Sequence, residues 1–279
     1  MKFRSMDGVG MTELHAAFVD AFSEYDVPMT LSQDALLQMM TIRDYHPGVS
    51  VGCFDAGQLL GFVLVGVRGA DGARRAYDVA TGVVRSHQNQ HIGSRLVEAV
   101  IEGLRAQGIA SFVLEVLEQN EAARRLYERQ GFVVQRRIAC YQYVYSAPRA
   151  MPAGWEQLDG LPPDSAEATY NGYLPSWQQS LQSYRNAASD YAVVGMREAH
   201  LLIAYGIVQR QNGSVMQIGI LPDWRDRIGV AQVVDALAAQ TGADTLRFVN
   251  VEAGSWVAQQ LASIGWTAFV DQHEMMRQI

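Results

Sequence analysis

The amino-acid sequence predicts a mixed α/β (α+β) protein with two tandem domains, each a mostly antiparallel twisted sheet flanked by helices. Three observations predict this fold class. Residues 83–132 run through a strand, an amide-rich loop, a helix, a second strand and a second helix without a gap. The segment SAPRAMPAG at 146–154 has the composition of a linker. After that segment the first half recurs in weaker form, so we expect a tandem repeat.

The first half begins with short elements that turn signals separate. TLSQ at residues 30–33 has the form of a capping box, which predicts the start of a helix. GADG at residues 69–72 is a turn between two strands. The predicted elements are a strand at 3–6, helices at 10–22 and 32–43, and strands at 50–54, 58–67 and 76–84.

The loop QNQHIG at residues 88–93 immediately precedes a helix. Apolar residues recur there at helical spacing, namely Ile92, Leu96, Val97, Val100, Ile101 and Leu104. Backbone amides therefore converge at a helix N-terminus, where they and the helix dipole favour a phosphate. The sequence thus predicts an anion site at this loop.

Together these pieces resemble the GNAT N-acetyltransferase superfamily. Its pyrophosphate loop reads Q/R-x-x-G-x-G/A and is followed by a strand and a shorter helix that ends in a tyrosine-containing, Gly-aromatic stretch. Here the strand spans 110–116, the helix NEAARRLYERQ spans 120–130, and Gly131-Phe132 follow. His91 stands where the family's first glycine usually sits. The resemblance implies a GNAT fold, acetyl-coenzyme A as cosubstrate, and direct acetyl transfer to an amine.

The resemblance also implies how acetyl-coenzyme A is held. The amide of Val83 or Val84 would hold the thioester oxygen, because the fourth and fifth strands splay apart there in the family. Asn120 would bond the pantetheine arm or a water, and it is equally suited to cap its own helix. The pyrophosphate would be held by the loop amides, those of Gln88, Asn89, Gln90, His91, Ile92, Gly93 and Ser94.

Tyr127 occupies the family's position for the general acid that protonates the departing thiolate. A phenol with an ordinary pKa near 10 is protonated at neutral pH and can donate. The alternative is a helix residue that packs beside Leu126.

An alkylammonium acceptor must lose a proton before it attacks, so a base is needed. Asp78 in AYDVATGV and Glu115 in FVLEVL are the candidates, because each is a charge among apolar neighbours. The alternatives are a salt bridge from Asp78 to Arg74 or Arg75, and a structural pair between Glu115 and a nearby arginine.

The second half repeats the first without its polar groups. Gly131-Phe132 recur as Gly265-Trp266, and at the same displacement Tyr127 falls on Leu261 and Glu115 on Val249. Asp226 would also bring a carboxylate near any bound pyrophosphate. We therefore predict a catalytic, acetyl-coenzyme A-binding domain at 1–146, a linker at 147–153, and a degenerate, structural or substrate-shaping domain at 154–279.

Composition excludes some partners. The net charge is -7, so the chain lacks the basic excess of a nucleic-acid-binding protein. The longest apolar run, at 59–67, is too short to span a bilayer, and charges throughout the first thirty residues argue against a signal peptide. A cytoplasmic protein without a membrane partner is expected, with Cys53 and Cys140 as buried free thiols.

Two further groups of residues resemble sites. His87 and His91 have the spacing of a metal pair but no evident third ligand, so no metal is expected. Glu24, Tyr25 and Asp26 would line the substrate mouth, or are simply a solvated loop.

The leading hypothesis is an N-acetyltransferase that moves the acetyl group of acetyl-coenzyme A to a primary amine of a small molecule. A peptide or protein amine fits the same mechanism. The alternative is a non-catalytic coenzyme A-binding sensor or interaction protein with the same fold. The residues identify neither the acceptor nor the oligomeric state.

Overall fold

A computed structural model describes residues 1–24, 31–70, 73–145 and 149–279. The chain divides into two compact units, one of Met1–Gln135 with His273–Ile279 and one of Arg136–Gln272.

The first unit contains four helices and five complete strands among the described residues. Ser32 begins the second helix as its N-cap, because its hydroxyl accepts a hydrogen bond from the Ala35 amide at 3.2 Å. The elements are β1 Lys2–Ser5, α1 Met11–Ala21, α2 Gln33–Ile42, β2 Val51–Asp55, β3 Gln58–Arg68, β4 Arg75–Val83, α3 Ile92–Ala106, β5 Ser111–Leu117 and α4 Glu121–Arg129.

The sheet of the first unit runs in the order β1-β2-β3-β4-β5. The first three pairings are antiparallel and the fourth, β4 with β5, is parallel. The six apolar residues that predicted α3 are all buried, in one core cluster with Phe112, Tyr127 and Phe132. This core holds α3 and α4 against one face of β4 and β5.

The second unit repeats this plan. Its elements are β6 Val133–Val144, whose first three residues belong to the first unit, β7 Trp155–Gln157, α5 Glu167–Asn171, α6 Leu181–Arg185, β8 Tyr191–Glu198, β9 Leu201–Gln209, β10 Ser214–Ile220, α7 Val230–Ala238, β11 Thr245–Glu252, α8 Trp256–Ser263 and β12 Thr267–Gln278.

The sheet of the second unit runs in the order β6-β11-β10-β9-β8-β7. Here too a single pairing, β10 with β11, is parallel and the others are antiparallel. The predicted fold class, two tandem domains with mixed, mostly antiparallel sheets and flanking helices, is confirmed. The helix after the second loop is also shorter, with 9 residues in α7 against 15 in α3.

The units divide at a different place from the predicted linker at 147–153, of which 147 and 148 lie outside the described residues. β12 belongs to the second unit up to Gln272, and its remainder belongs to the first. Met275 is fully buried in the first unit's core, and the Ile279 amide donates to the Ala110 carbonyl at 3.0 Å. Such a pairing joins residues far apart in the chain, which local composition does not reveal.

Cys53 and Cys140 are buried free thiols, as expected. No helix in the described part of the chain is long and apolar enough to cross a membrane.

Candidate active site

The candidate site lies where β4 and β5 stop pairing. Their parallel ladder covers three positions, from Arg75 opposite Ser111 to Tyr77 opposite Val113. Beyond Tyr77 no further pair joins these two strands, both of which are fully described. An opening therefore lies between their C-terminal halves, and we call it the first opening.

The two amides predicted at this opening point in opposite directions. Val84 donates its amide to the Leu60 carbonyl at 2.9 Å, so that amide belongs to the ladder between β3 and β4. Successive amides of a strand point to opposite edges, so the Val83 amide points away from β3 and toward the first opening. Val83 therefore remains the candidate for an oxyanion, and Val84 does not.

The predicted anion loop follows directly. A short 3-10 turn at Arg85–His87 leads into it, and the Gln88 side-chain amide donates to the Val83 carbonyl at 3.2 Å. Asn89 and His91 both have left-handed backbones with φ of 59°, and His91 is the N-cap of α3.

This backbone leaves the loop amides free to bind an anion. Within the described residues, the amides of 89–94 donate no hydrogen bond, and those of 92–94 also form the unpaired first turn of α3. A Cβ on Gly93 would lie 3.3 Å from the Leu126 side chain, so a glycine lets α3 approach α4 closely there. Of the sequence-predicted residues, Asn89 to Ser94 thus form a continuous run of free amide donors, whereas the Gln88 amide is already used, because it donates to the Arg85 carbonyl at 3.3 Å.

Asp78 and Tyr127 form a buried pair at the first opening. The Tyr127 hydroxyl donates to Asp78 Oδ2 at 3.1 Å, and the Thr81 hydroxyl donates to the same oxygen at 2.6 Å. Asp78 is 8% exposed and Tyr127 7%. Neither Arg74 nor Arg75 forms an ion pair with Asp78, so the salt-bridge alternative does not hold within the described residues.

Burial raises the pKa of Asp78 to about 6, although the hydrogen bonds from Thr81 and Tyr127 and the charge of Arg43 oppose the rise. A carboxyl group with such a pKa exchanges its proton near neutral pH.

Glu115 forms a second pair, with Tyr77. The Tyr77 hydroxyl donates to Glu115 Oε2, and Tyr77 is fully buried whereas Glu115 is half-buried. Burial first, and then the Glu115 charge, raise the pKa of Tyr77 well above 10, so Tyr77 stays a donor.

The two pairs lie on opposite faces of the sheet, because successive side chains of a strand alternate. Asp78 shares its face with Ala76, which packs in the core under α3 and α4. Tyr77 and Glu115 share the other face, where Phe18 of α1 stacks on Phe62 at 6.0 Å. Each carboxylate thus flanks the first opening from its own side.

Asn120 has the capping role that the sequence allowed. Its side-chain oxygen accepts the Ala123 amide at 3.0 Å as the N-cap of α4. The NH2 of its side-chain amide makes no hydrogen bond among the described residues. Among the other candidates, Glu24 pairs with Arg85, and Tyr25 and Asp26 lie outside the described residues.

Sequence reasoning assigned no role to Tyr77, Thr81 or Arg43. Tyr77 had no usable signal, because its pairing with Glu115 depends on the register of β4 against β5, which only the fold sets. Arg43 had none, since it lies at the end of α2 and donates to the Val79 carbonyl of β4 at 3.0 Å only through the fold.

The corresponding opening in the second unit, the second opening, lies between β10 and β11. Their parallel pairing ends at Val215 opposite Phe248. The Leu221 amide donates to the Ile203 carbonyl at 2.9 Å, just as the Val84 amide donates to the Leu60 carbonyl, so Leu221 and Val84 are equivalent positions. At the same distance before them along the chain, Val215 stands where Asp78 does.

The second opening lacks the phenol as well. The backbone amide of Trp266 donates to the Leu261 carbonyl at 3.0 Å, just as the backbone amide of Phe132 donates to the Tyr127 carbonyl. Leu261 therefore stands where Tyr127 does.

Gln179 also bridges the second opening. Its side chain donates to the Val249 carbonyl of β11 at 2.9 Å, and its own carbonyl accepts from the Gln217 side chain of β10 at 2.6 Å. Gln179 is 4% exposed and Gln217 is fully buried. The chain itself therefore closes this opening.

No group of three or more His, Cys, Asp or Glu side chains with the arrangement of a metal site occurs in the described ranges.

Comparison with known proteins identifies the first unit's fold. The sequence profile of the Acetyltransferase (GNAT) family matches residues 11–132. The N-alpha-acetyltransferase 30 of Schizosaccharomyces pombe is 33% identical over 69 residues, which are 25% of this chain and 45% of that protein. The chain thus matches less than half the length of this curated relative.

Two solved structures resemble the whole chain. A GCN5-related N-acetyltransferase from Sphaerobacter thermophilus gives a TM-score of 0.71 at 13% identity, covering 99% of this chain and 95% of that one. A tandem GNAT protein from the clavulanic acid biosynthesis pathway gives 0.69 at 14% identity, covering 99% and 98%. At these identities the likeness is one of fold.

Proposed function

We propose, from the premise that this chain is a GNAT superfamily protein with two tandem domains, that it is an N-acetyltransferase with one active site, in the first unit. It would transfer the acetyl group of acetyl-coenzyme A to a primary amine, which we expect to belong to a small molecule. One observation carries the proposal: Val83, Tyr127 and Glu115 bring an unpaired amide, a phenol and a half-buried carboxylate to the first opening.

The first unit fits acetyl-coenzyme A, which supplies an acyl thioester when bound. The free amides of 89–94 and the N-terminus of α3 suit a pyrophosphate. The Val83 amide, facing the opening, suits the carbonyl oxygen of the thioester, where negative charge develops during attack.

We assign the base to Glu115 rather than to Asp78. A base must reach the acceptor ammonium and then release the proton to water. Glu115 is half-buried on the face that α1 covers, whereas Asp78 is buried and occupied by Thr81 and Tyr127. A carboxylate also attracts a cationic amine before it accepts the proton.

We assign the acid to Tyr127. Its hydroxyl already reaches the first opening, where it touches Asp78, the residue directly after the last paired position of β4. The phenol would donate its proton to the thiolate that leaves.

A second candidate acceptor is the α-amine of a peptide. It is favoured by the 33% identity to an N-alpha-acetyltransferase, which spans 69 residues. The same Glu115 and Tyr127 would serve this reaction, since only the acceptor differs.

A transfer assay tests the proposal. Purified protein and acetyl-coenzyme A are mixed with an amino sugar, a diamine or tetrapeptides that have a free α-amine. The released thiol and the acetylated product are measured. Glu115→Gln should lower turnover on a true acceptor about 100-fold, with the acetyl-coenzyme A affinity unchanged. Glu121→Gln, an exposed carboxylate paired with Arg125, is the control and should keep full turnover.

The outcomes separate the hypotheses. Higher kcat/KM on tetrapeptides than on small amines would replace the small-molecule acceptor by a peptide. Binding of acetyl-coenzyme A without transfer to any acceptor would favour a coenzyme A-binding sensor and overturn the enzyme proposal.

A further inference from the structure

Asp78 has one oxygen with two partners and one with none. Oδ2 accepts from Thr81 and Tyr127, whereas Oδ1 is buried without a hydrogen-bond partner. A buried charged oxygen without a donor is costly, and no Lys, Arg or His ion pair compensates it within the described residues. The carboxyl group is therefore built to take up a proton rather than to stay charged.

The charge of Asp78 decides which way the Tyr127 hydroxyl points. An ionised carboxylate only accepts, so Tyr127 must donate to it and its proton is held away from other acceptors. A protonated carboxyl group can donate, so Tyr127 can accept from Asp78 and turn its own proton toward the first opening.

A few groups around Asp78 set the equilibrium between its ionised and protonated forms. Thr81 and Tyr127 stabilise the ionised form from β4 and α4, as does the charge of Arg43, which reaches β4 from the end of α2. Tyr77, the neighbour on β4, stays protonated and points to the opposite face with Glu115. With a pKa of about 6 for Asp78, both of its forms are populated near neutral pH.

We propose that Asp78 is a positioning residue whose protonation turns the Tyr127 hydroxyl toward the leaving thiolate and then replaces the proton that Tyr127 gives up. This inference rests on the proposed function. The amine nitrogen forms a bond to the acetyl carbon and its proton goes to Glu115. The bond between the acetyl carbon and sulfur breaks with its electron pair on sulfur, and Tyr127 gives its proton to that sulfur. Asp78 passes its proton to the phenolate, and the resulting carboxylate regains one from water.

The first test needs no turnover. The carbonyl band of protonated Asp78 is followed by infrared spectroscopy between pH 5 and 8, as the difference between wild type and Asp78→Asn. The subtraction removes Glu167, whose pKa burial also raises. We expect a midpoint near 6, and a higher midpoint in Tyr127→Phe because the ionised form loses a donor. An unmoved midpoint would overturn the coupling.

The second test compares two substitutions at one position. Asp78→Asn keeps a donor for Tyr127, as the protonated carboxyl group does, whereas Asp78→Ala removes it. With acetyl-coenzyme A and the acceptor that the wild type turns over fastest, Asp78→Asn should turn over about tenfold faster than Asp78→Ala. This is less than the roughly 100-fold low end of a full general-acid effect, because both variants keep Tyr127. Turnover per neutral amine should fall above the Asp78 midpoint in wild type and stay level in Asp78→Asn.

Equal losses of turnover in Asp78→Asn and Asp78→Ala, with an unchanged pH profile, would overturn the proposed positioning role of Asp78. Thermal unfolding and acetyl-coenzyme A titration of both variants show whether either loss is one of folding. If the wild type transferred nothing, the proposed function and the catalytic half of this inference would fall together, while the infrared midpoint of Tyr127→Phe would still decide the coupling.

Discussion

The two units share one backbone plan and treat its central opening in opposite ways. In the first opening, Asp78 and Tyr127 bring polar groups to the point where the strands separate. In the second, Val215 and Leu261 stand at those places and Gln179 ties both strands together.

The second unit is nevertheless not short of buried polar groups. Glu167 accepts from the Leu181 amide and from Gln217, and Gln217 also accepts from Asn171 and Tyr205. Most of these groups satisfy one another and so fix the fold, and the one buried oxygen left without a partner, Asn171 Oδ1, belongs to a neutral amide. The first opening keeps an unpaired oxygen on a carboxyl group that can ionise, and the loop beside it keeps free amides. What separates a site from a scaffold here is the availability of polar groups rather than their number.

The largest effect is expected from removing the phenol of the first opening. Tyr127→Phe should lower turnover about 100-fold, or about 2.7 kcal/mol in activation free energy, and leave the acetyl-coenzyme A affinity unchanged. Tyr143→Phe is the matched control, because Tyr143 stacks on Trp266 as Tyr127 packs on Phe132. Unchanged turnover in Tyr127→Phe would remove Tyr127 from the chemistry.

Closure of the second opening is tested by Gln179→Ala. The half-buried Val249 carbonyl would lose its donor, so the free energy of unfolding should fall by about 1.5 kcal/mol. Denaturant titration measures this, with the exposed Gln182→Ala as a control expected within about 0.5 kcal/mol of wild type.

Calorimetry completes that test. We expect one acetyl-coenzyme A per chain in wild type and in Gln179→Ala, because the second opening also lacks the phenol and the carboxylate. Two sites in the variant would show that Gln179 alone blocks a competent second copy.

Much of this contrast was readable from the sequence, and the reason is local order. The loop, the α3 periodicity and the loss of Tyr127 at Leu261 are all properties of short segments or of a fixed displacement. The partners of Asp78 and Glu115 were not readable, because each joins strands and helices that only the fold brings together. The choice between the amides of Val83 and Val84 was open for a related reason, since the direction of an amide depends on strand register.

The anion loop gives a comparison at matched helix positions. Ser94 and Gln232 are each the third residue of their helix, α3 and α7, so a glutamate there benefits from the helix dipole in both. Ser94→Glu should weaken acetyl-coenzyme A binding about tenfold, or 1.4 kcal/mol, through repulsion of the pyrophosphate, and Gln232→Glu should not. Equal affinities in both variants would move the pyrophosphate away from this loop.

The smallest effect concerns the N-caps of the same two helices. His91 caps α3 with φ of 59°, whereas Gly229 caps α7 with an extended backbone at φ of -80°, so the histidine occupies the conformation that glycine tolerates better. A left-handed residue with a Cβ costs about 1 kcal/mol, and glycine gives back part of that through the entropy of the unfolded chain.

His91→Gly should therefore raise the free energy of unfolding by about 0.5 kcal/mol. Acetyl-coenzyme A affinity should change less than about twofold, because the proposed contacts come from backbone amides. Gly229→Ala is the control, because it relieves no strained φ. A Cβ there would meet nothing closer than the Ala231 amide nitrogen at 3.9 Å. A clear loss of affinity in His91→Gly would show that the imidazole itself contacts the bound molecule, and that the first loop binds through more than its backbone.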